Sequence, residues 1–146
     1  MNRNVFVPAA IAGVLSGALS ALPVVSLVNC AAFAWMWMGG IFAVYLFRRG
    51  GAPKLTRAEG VTLGLLTGTV AGVVNIALTL AGVDGLTSVM TAWQSSLGDA
   101  QSASLRALLE SGAVTSAVGC LALMLHLGLG AFGGAIGAGL ITRRRL

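Results

Sequence analysis

Charge is scarce in this 146-residue chain: nine Lys/Arg and four Asp/Glu make up 9% of it. Soluble domains carry roughly 25% charged residues, and a water-facing skin cannot be built from so few. No Asp, Glu, Lys or Arg lies well inside an apolar run, so the intramembrane charges of proton-coupled pumps and many transporters are missing. Histidine occurs once, as His126, with no Cys, His or carboxylate cluster at ligand spacing. Cysteine occurs twice, as Cys30 and Cys120, inside apolar stretches and without CxxC spacing, so no disulfide framework is expected. There is no P-loop, no HExxH and no Ser/His/Asp set, and Ser16 and Ser20 have no nearby base. These absences point to a chain that is not an enzyme, with no catalytic residues and no metal site.

What the chain does have is apolar length and glycine. Hydrophobic residues make up 57% and glycine 21 positions, with a mean hydropathy of +0.92. Four apolar runs stand out, at about Val5–Leu22, Val24–Phe47, Val61–Val83 and Ala113–Thr142. Each reaches the roughly 17–25 residues that cross a hydrocarbon core about 30 Å thick. The expected fold is all-α: a single polytopic membrane domain over 1–146, with four transmembrane helices.

The breaks between runs carry their own signals. Pro23 separates the first two runs, so a tight hairpin is expected there. Arg48, Arg49, Gly50, Gly51 and Pro53 close the second run, as cations, glycine and proline do at a helix C-terminus. Thr56 and Glu59 have capping-box spacing before the third run. Asp84-Gly85 reads as the turn that ends it. Residues 84–112 are the one sizeable polar region. Leu86, Val89, Met90, Trp93 and Leu97, then Leu105, Leu108 and Leu109, follow helical spacing, which predicts an amphipathic linker on the membrane surface.

Charge distribution predicts orientation. Arg3, the Arg48/Arg49/Lys54/Arg57 group and Arg143–Arg145 fall on one side. Asp84, Asp99 and Glu110 fall in the linker, beside a single cation, Arg106. The positive-inside rule then places both termini in the cytoplasm and the linker outside. The basic balance, net +5, is thus read as orientation and not as nucleic-acid binding. Arg3, the first run and Ala18-Leu19-Ser20 also form a cleavable-signal pattern; a retained first span is expected.

Small residues recur at four-residue steps: Gly13/Gly17, Gly64/Gly68/Gly72, Gly130/Gly134 and Gly133/Gly137. Such stripes let helix backbones approach in lipid, within one bundle or against a partner. The match of Gly13-Val-Leu-Ser-Gly17 to Gly64-Leu-Leu-Thr-Gly68 admits a repeated hairpin or chance recurrence. Asn29, Asn75 and His126 are the amide and imidazole side chains inside the runs. The asparagines read as interhelical hydrogen-bond glue. His126 reads as a residue bonded to a backbone carbonyl or to Asn75. The sharper alternative is a ligand for a tetrapyrrole (pigment or haem), with Gly128 and Gly130 leaving room. Trp35, Met36, Trp37 and Met38 form a bulky patch whose members point in different directions on a helix.

Two close spans, a basic loop, the stretch Leu55-Thr-Arg-Ala-Glu-Gly-Val-Thr-Leu-Gly-Leu-Leu-Thr-Gly68, a polar linker and a Gly-rich last span follow in order. That order resembles small bacterial four-span membrane proteins of the domain-of-unknown-function type. The resemblance implies no particular activity; the Ala/Gly/Val/Leu-heavy usage suits a bacterial inner membrane. The function expected is a non-catalytic accessory or scaffold subunit of a larger membrane assembly. Its partners are the lipid bilayer and other membrane chains, or further copies of itself. The alternatives are a small oligomeric channel or carrier, with Asn75 and His126 along its path, and cofactor binding at His126.

Overall fold

The computed structural model describes residues 5–22, 33–52, 54–83, 103, 107 and 113–143. It is all-helical among them, with four long helices: α1 (Phe6–Ala21), α2 (Ala34–Arg49), α3 (Arg57–Leu80) and α4 (Ala113–Arg143). Among the described residues, two segments are long and apolar enough to cross a membrane. They are Arg57–Leu80, with mean hydropathy 1.8, and Gly119–Ile141, with 1.7. At 1.5 Å per residue α3 is about 36 Å long and α4 about 46 Å, while α1 and α2 reach about 24 Å. The linker expected over 84–112 lies outside the described residues, apart from Ala103 and Ala107.

The helix ends follow from local chemistry. Thr56 caps α3 reciprocally: the Glu59 backbone N–H donates to Thr56 Oγ1 at 3.2 Å, and the Thr56 N–H donates to Glu59 Oε2 at 2.8 Å. These bonds satisfy both the N-cap backbone and the first-turn N–H ahead of the apolar run that starts at Val61. At the end of α2, Arg48 and Arg49 fill the last turn. Gly51 follows at φ 76°, its N–H donating to the Arg48 carbonyl.

Two ends differ from the expected ones. α3 stops at Leu80, ahead of the Asp84-Gly85 pair, which lies outside the described residues. Gly82 ends the helix at φ 80°. Its N–H donates to Thr79 O, and the Val83 N–H to Leu78 O, the two bonds of a Schellman cap. The second run is not one continuous helix over Val24–Phe47. Phe33 is left-handed, at φ 48°, and a helix cannot run through that conformation.

Helices α1 and α4 lie on opposite sides of the bundle, each packed on both α2 and α3, which also touch. The close approaches fix direction. Gly60, Gly64 and Gly68 of α3 meet Gly134, Gly130 and His126 of α4 in turn, so this pair is antiparallel. Gly13 and Gly17 of α1 meet Thr67 and Ala71 of α3, so α1 and α3 run in parallel. Gly133 and Gly137 of α4 meet Trp37 and Val44 of α2, also in parallel. The α2 C-terminus, the α3 N-terminus and the α4 C-terminus therefore share one end. Arg48, Arg49, Lys54 and Arg57 gather there.

Side-chain size is distributed oppositely to that of a water-soluble bundle. The interior is lined largely by glycine and alanine, including Ala9, Ala12, Ala21, Ala43, Ala71 and Ala138. Few large side chains join them, chiefly Val44, Leu63 and Phe47. Large apolar groups point outward: Phe6, Ile11, Val73, Leu121, Met124, Phe132 and Leu140 are all exposed, Met124 by 70%. Hydroxyls close onto their own helices, Thr67 on Leu63 O at 2.9 Å, Thr69 on Leu65 O at 2.9 Å and Ser16 on Gly13 O at 3.2 Å. Such back-bonding satisfies a hydroxyl without water.

A Cβ at Gly64 would collide with the Gly130 backbone, whereas one at Gly128 meets nothing within 4 Å. Gly64→Val is expected to destabilise the bundle by about 2 kcal/mol or more, and Gly128→Val to leave it unchanged. Thermal unfolding in mild detergent checks both; equal losses would remove the packing role of Gly64.

Candidate functional site

Three polar side chains are buried among the described residues: Ser16, Thr67 and His126. On α1 Ser16 is buried, and its Oγ stands 2.8 Å from where a Cβ on Gly39 of α2 would lie. Thr67 of α3 borders the same spot, its Cγ2 3.7 Å away. These small groups let three backbones converge in one layer.

His126 of α4 lies against α3. A Cβ at Gly72 would be 3.6 Å from His126 Cβ and 3.9 Å from its Cγ, and Gly68 abuts the His126 carbonyl. The side chain is 1% exposed. Nδ1 lies 2.7 Å from the Ala122 carbonyl oxygen. That oxygen can only accept, so Nδ1 carries the proton and Nε2 the lone pair. Nε2 is buried with no hydrogen-bond partner among the described residues.

Of the two plain readings of His126, the bond to a backbone carbonyl is the one present. No hydrogen bond joins it to half-buried Asn75 among the described residues. The room expected beside it for a macrocycle is filled. Gly130 packs on α3, where its Cβ would stand 2.6 Å from the Gly64 carbonyl oxygen. Gly128 is open but exposed. The donor chemistry of Nε2 suits an axial ligand, yet its burial leaves no face for a tetrapyrrole, so residues and group do not fit. No group of three or more His, Cys, Asp or Glu able to hold a metal occurs among the described residues.

The nine glycines of the four-residue stripes all serve contacts inside the bundle. Gly13 and Gly17 face α3, and Gly64, Gly68 and Gly72 face α4. Gly130 and Gly134 return the α3 contact, while Gly133 and Gly137 face α2. The Gly13/Gly17 and Gly64/Gly68 echo therefore does not mark equivalent positions, since the first pair bridges hairpins and the second lies within one. Three glycines escaped sequence reading. Gly39 and Gly40 are adjacent and form no four-residue stripe, yet Gly39 meets Ser16 and Gly40 meets the α4 backbone. Gly60 sits beside the capping box and receives Gly134. The bulky patch divides as helical geometry requires, with Met36 buried and Met38 exposed. Cys120 is a free, exposed thiol; Cys30 and Asn29 lie outside the described residues.

No protein-family model, no curated protein and no solved structure matches this chain.

His126→Phe puts a somewhat larger apolar ring in place of the imidazole and removes the buried Nε2, unpartnered among the described residues. The Ala122 carbonyl keeps its helical bond, so stability is expected to hold or rise by about 1 kcal/mol. His126→Ala opens a cavity and is expected to cost about 2–4 kcal/mol. Unfolding midpoints of the two variants check this. A His126→Phe chain less stable than His126→Ala would point to a bound group at Nε2.

Proposed function

We propose that the chain is an integral membrane protein of four spans that serves as a non-catalytic accessory or scaffold subunit of a larger membrane assembly. The observation that carries this reading is the reversed distribution of side-chain size. Large apolar groups cover the outside and backbone contacts fill the inside. Water has no means of solvating such an exterior, while lipid tails and other membrane helices do.

Further features bear on it. The basic residues of α2 and α3 gather at one end of the bundle, which by the positive-inside rule faces the cytoplasm. Both termini then lie on that side, and a bacterial inner membrane suits the composition. α1 and α2, at about 24 Å, are short for a core of about 30 Å. Local thinning of the bilayer, or association with a partner, accommodates such short helices. α1 is packed through Gly13 and Gly17 onto α3, as befits a retained span. With the packing stripes consumed internally, the surface left for a partner is the large-residue exterior.

Native mass spectrometry of the protein, gently extracted from its own membrane, tests this reading. Co-purifying membrane chains at fixed stoichiometry are expected. A bare monomer would contradict the subunit assignment, and a homo-oligomer that conducts ions in proteoliposomes would replace it with a channel.

A further inference from the structure

At the basic end of the bundle, α3 and α4 border a groove of about 340 Å³ lined by Arg57, Phe132, Ala135, Ile136, Gly139 and Leu140. Its size is within the range of small-ligand sites, roughly 300–1,000 Å³. Glycine opens it: a Cβ on Gly139 would meet nothing within 4 Å. Phe132, Ile136 and Leu140, at successive four-residue steps, form a ridge along one side. From Phe132 to Leu140 the groove runs about 12 Å along the helix. Gly60 lies level with Gly134 and Ala138, so Arg57, almost a turn earlier, stands at the outer end near Leu140. Its side chain is exposed and has no hydrogen-bond or ion-pair partner among the described residues. Glu59, the nearest carboxylate in sequence, is engaged by Thr56.

We propose that this groove is a binding site for one anionic phospholipid. The Arg57 guanidinium takes the headgroup phosphate, and an acyl chain lies along Phe132, Ile136 and Leu140 over Gly139. Charge complementarity selects the occupant: exposed Arg57, without an ion-pair partner among the described residues, stands at one end of a groove otherwise lined by apolar residues. Arg is suited to bidentate phosphate contact, and a basic residue near an anionic leaflet contributes about 1 kcal/mol. The site rests on the membrane reading above, because only a bilayer places both halves of a lipid along this path.

The full chain in mild detergent, titrated with phosphatidylglycerol or phosphatidylcholine and read by native mass spectrometry, tests the site. Phosphatidylglycerol is expected to be retained over phosphatidylcholine. Arg57→Gln should weaken that retention roughly fivefold, the equivalent of one such basic contact. Gly139→Phe, which fills the groove without touching the packed faces, should weaken it at least as much. Arg49→Gln removes the same charge away from the groove and should change it less than twofold. Unchanged retention in the first two variants overturns the site, as does displacement of the lipid by equimolar inorganic phosphate. If the wild-type chain washes out of phosphatidylglycerol vesicles with alkaline carbonate, the membrane reading and the site fail together. Firm vesicle association with no groove dependence removes the site alone.

Discussion

Apolar helices have no reason to leave apolar surroundings for one another. Lipid tails solvate leucine as well as another helix does, so a bundle in lipid must be held by contact close enough for dispersion and backbone dipoles to matter. The contact between Gly60, Gly64 and Gly68 of α3 and Gly134, Gly130 and His126 of α4 meets that requirement. Most other features of the bundle follow from it. Backbones this close exclude side chains from the seam, so bulk moves to the exterior. The antiparallel direction of the pair sets which ends meet, and α1 and α2 complete the bundle through Gly13, Gly17, Gly39 and Gly40.

The same constraint explains the treatment of polar groups. Water is absent from a seam made of backbone, so each buried hydroxyl turns back onto its own helix. His126 follows the rule at Nδ1 and breaks it at Nε2. An unmet acceptor of that kind typically costs about 1–3 kcal/mol. The packing of Gly68 and Gly72 against the residue is what holds it there. The absence of buried ion pairs or carboxylates from the described interior fits a bundle whose interior is a packing surface.

Much of this architecture was legible in the residues. The all-α class, the extent of the fourth helix, the α3 capping box and the basic end of α2 each have a local cause, and local causes are written in adjacent letters. The glycines at four-residue steps also announced themselves. What they touched did not, because partner choice is a property of the bundle: Gly13/Gly17 and Gly64/Gly68 read alike and meet different helices. Gly39 and Gly40 went unseen because adjacency spreads them over two faces of α2. The left-handed Phe33 has no sequence signal, since nothing in an aromatic residue favours positive φ. Gly82 was masked by the stronger Asp-Gly signal two residues later. At His126 the sequence named the residue but not the direction of its ring, and with it the space beside Nε2.

In the proposed membrane arrangement the exposed large apolar residues face lipid, while the small ones face each other. Photolabelling of the protein in vesicles with a carbene probe on the lipid acyl chain, followed by peptide mapping, tests it most directly. Adducts are expected on Val73, Leu121, Met124, Phe132 and Leu140, and not on Ala43, Val44 or Leu63. Equal labelling of both sets, or modification of Met124 and Phe132 by a water-confined reagent instead, would contradict the account.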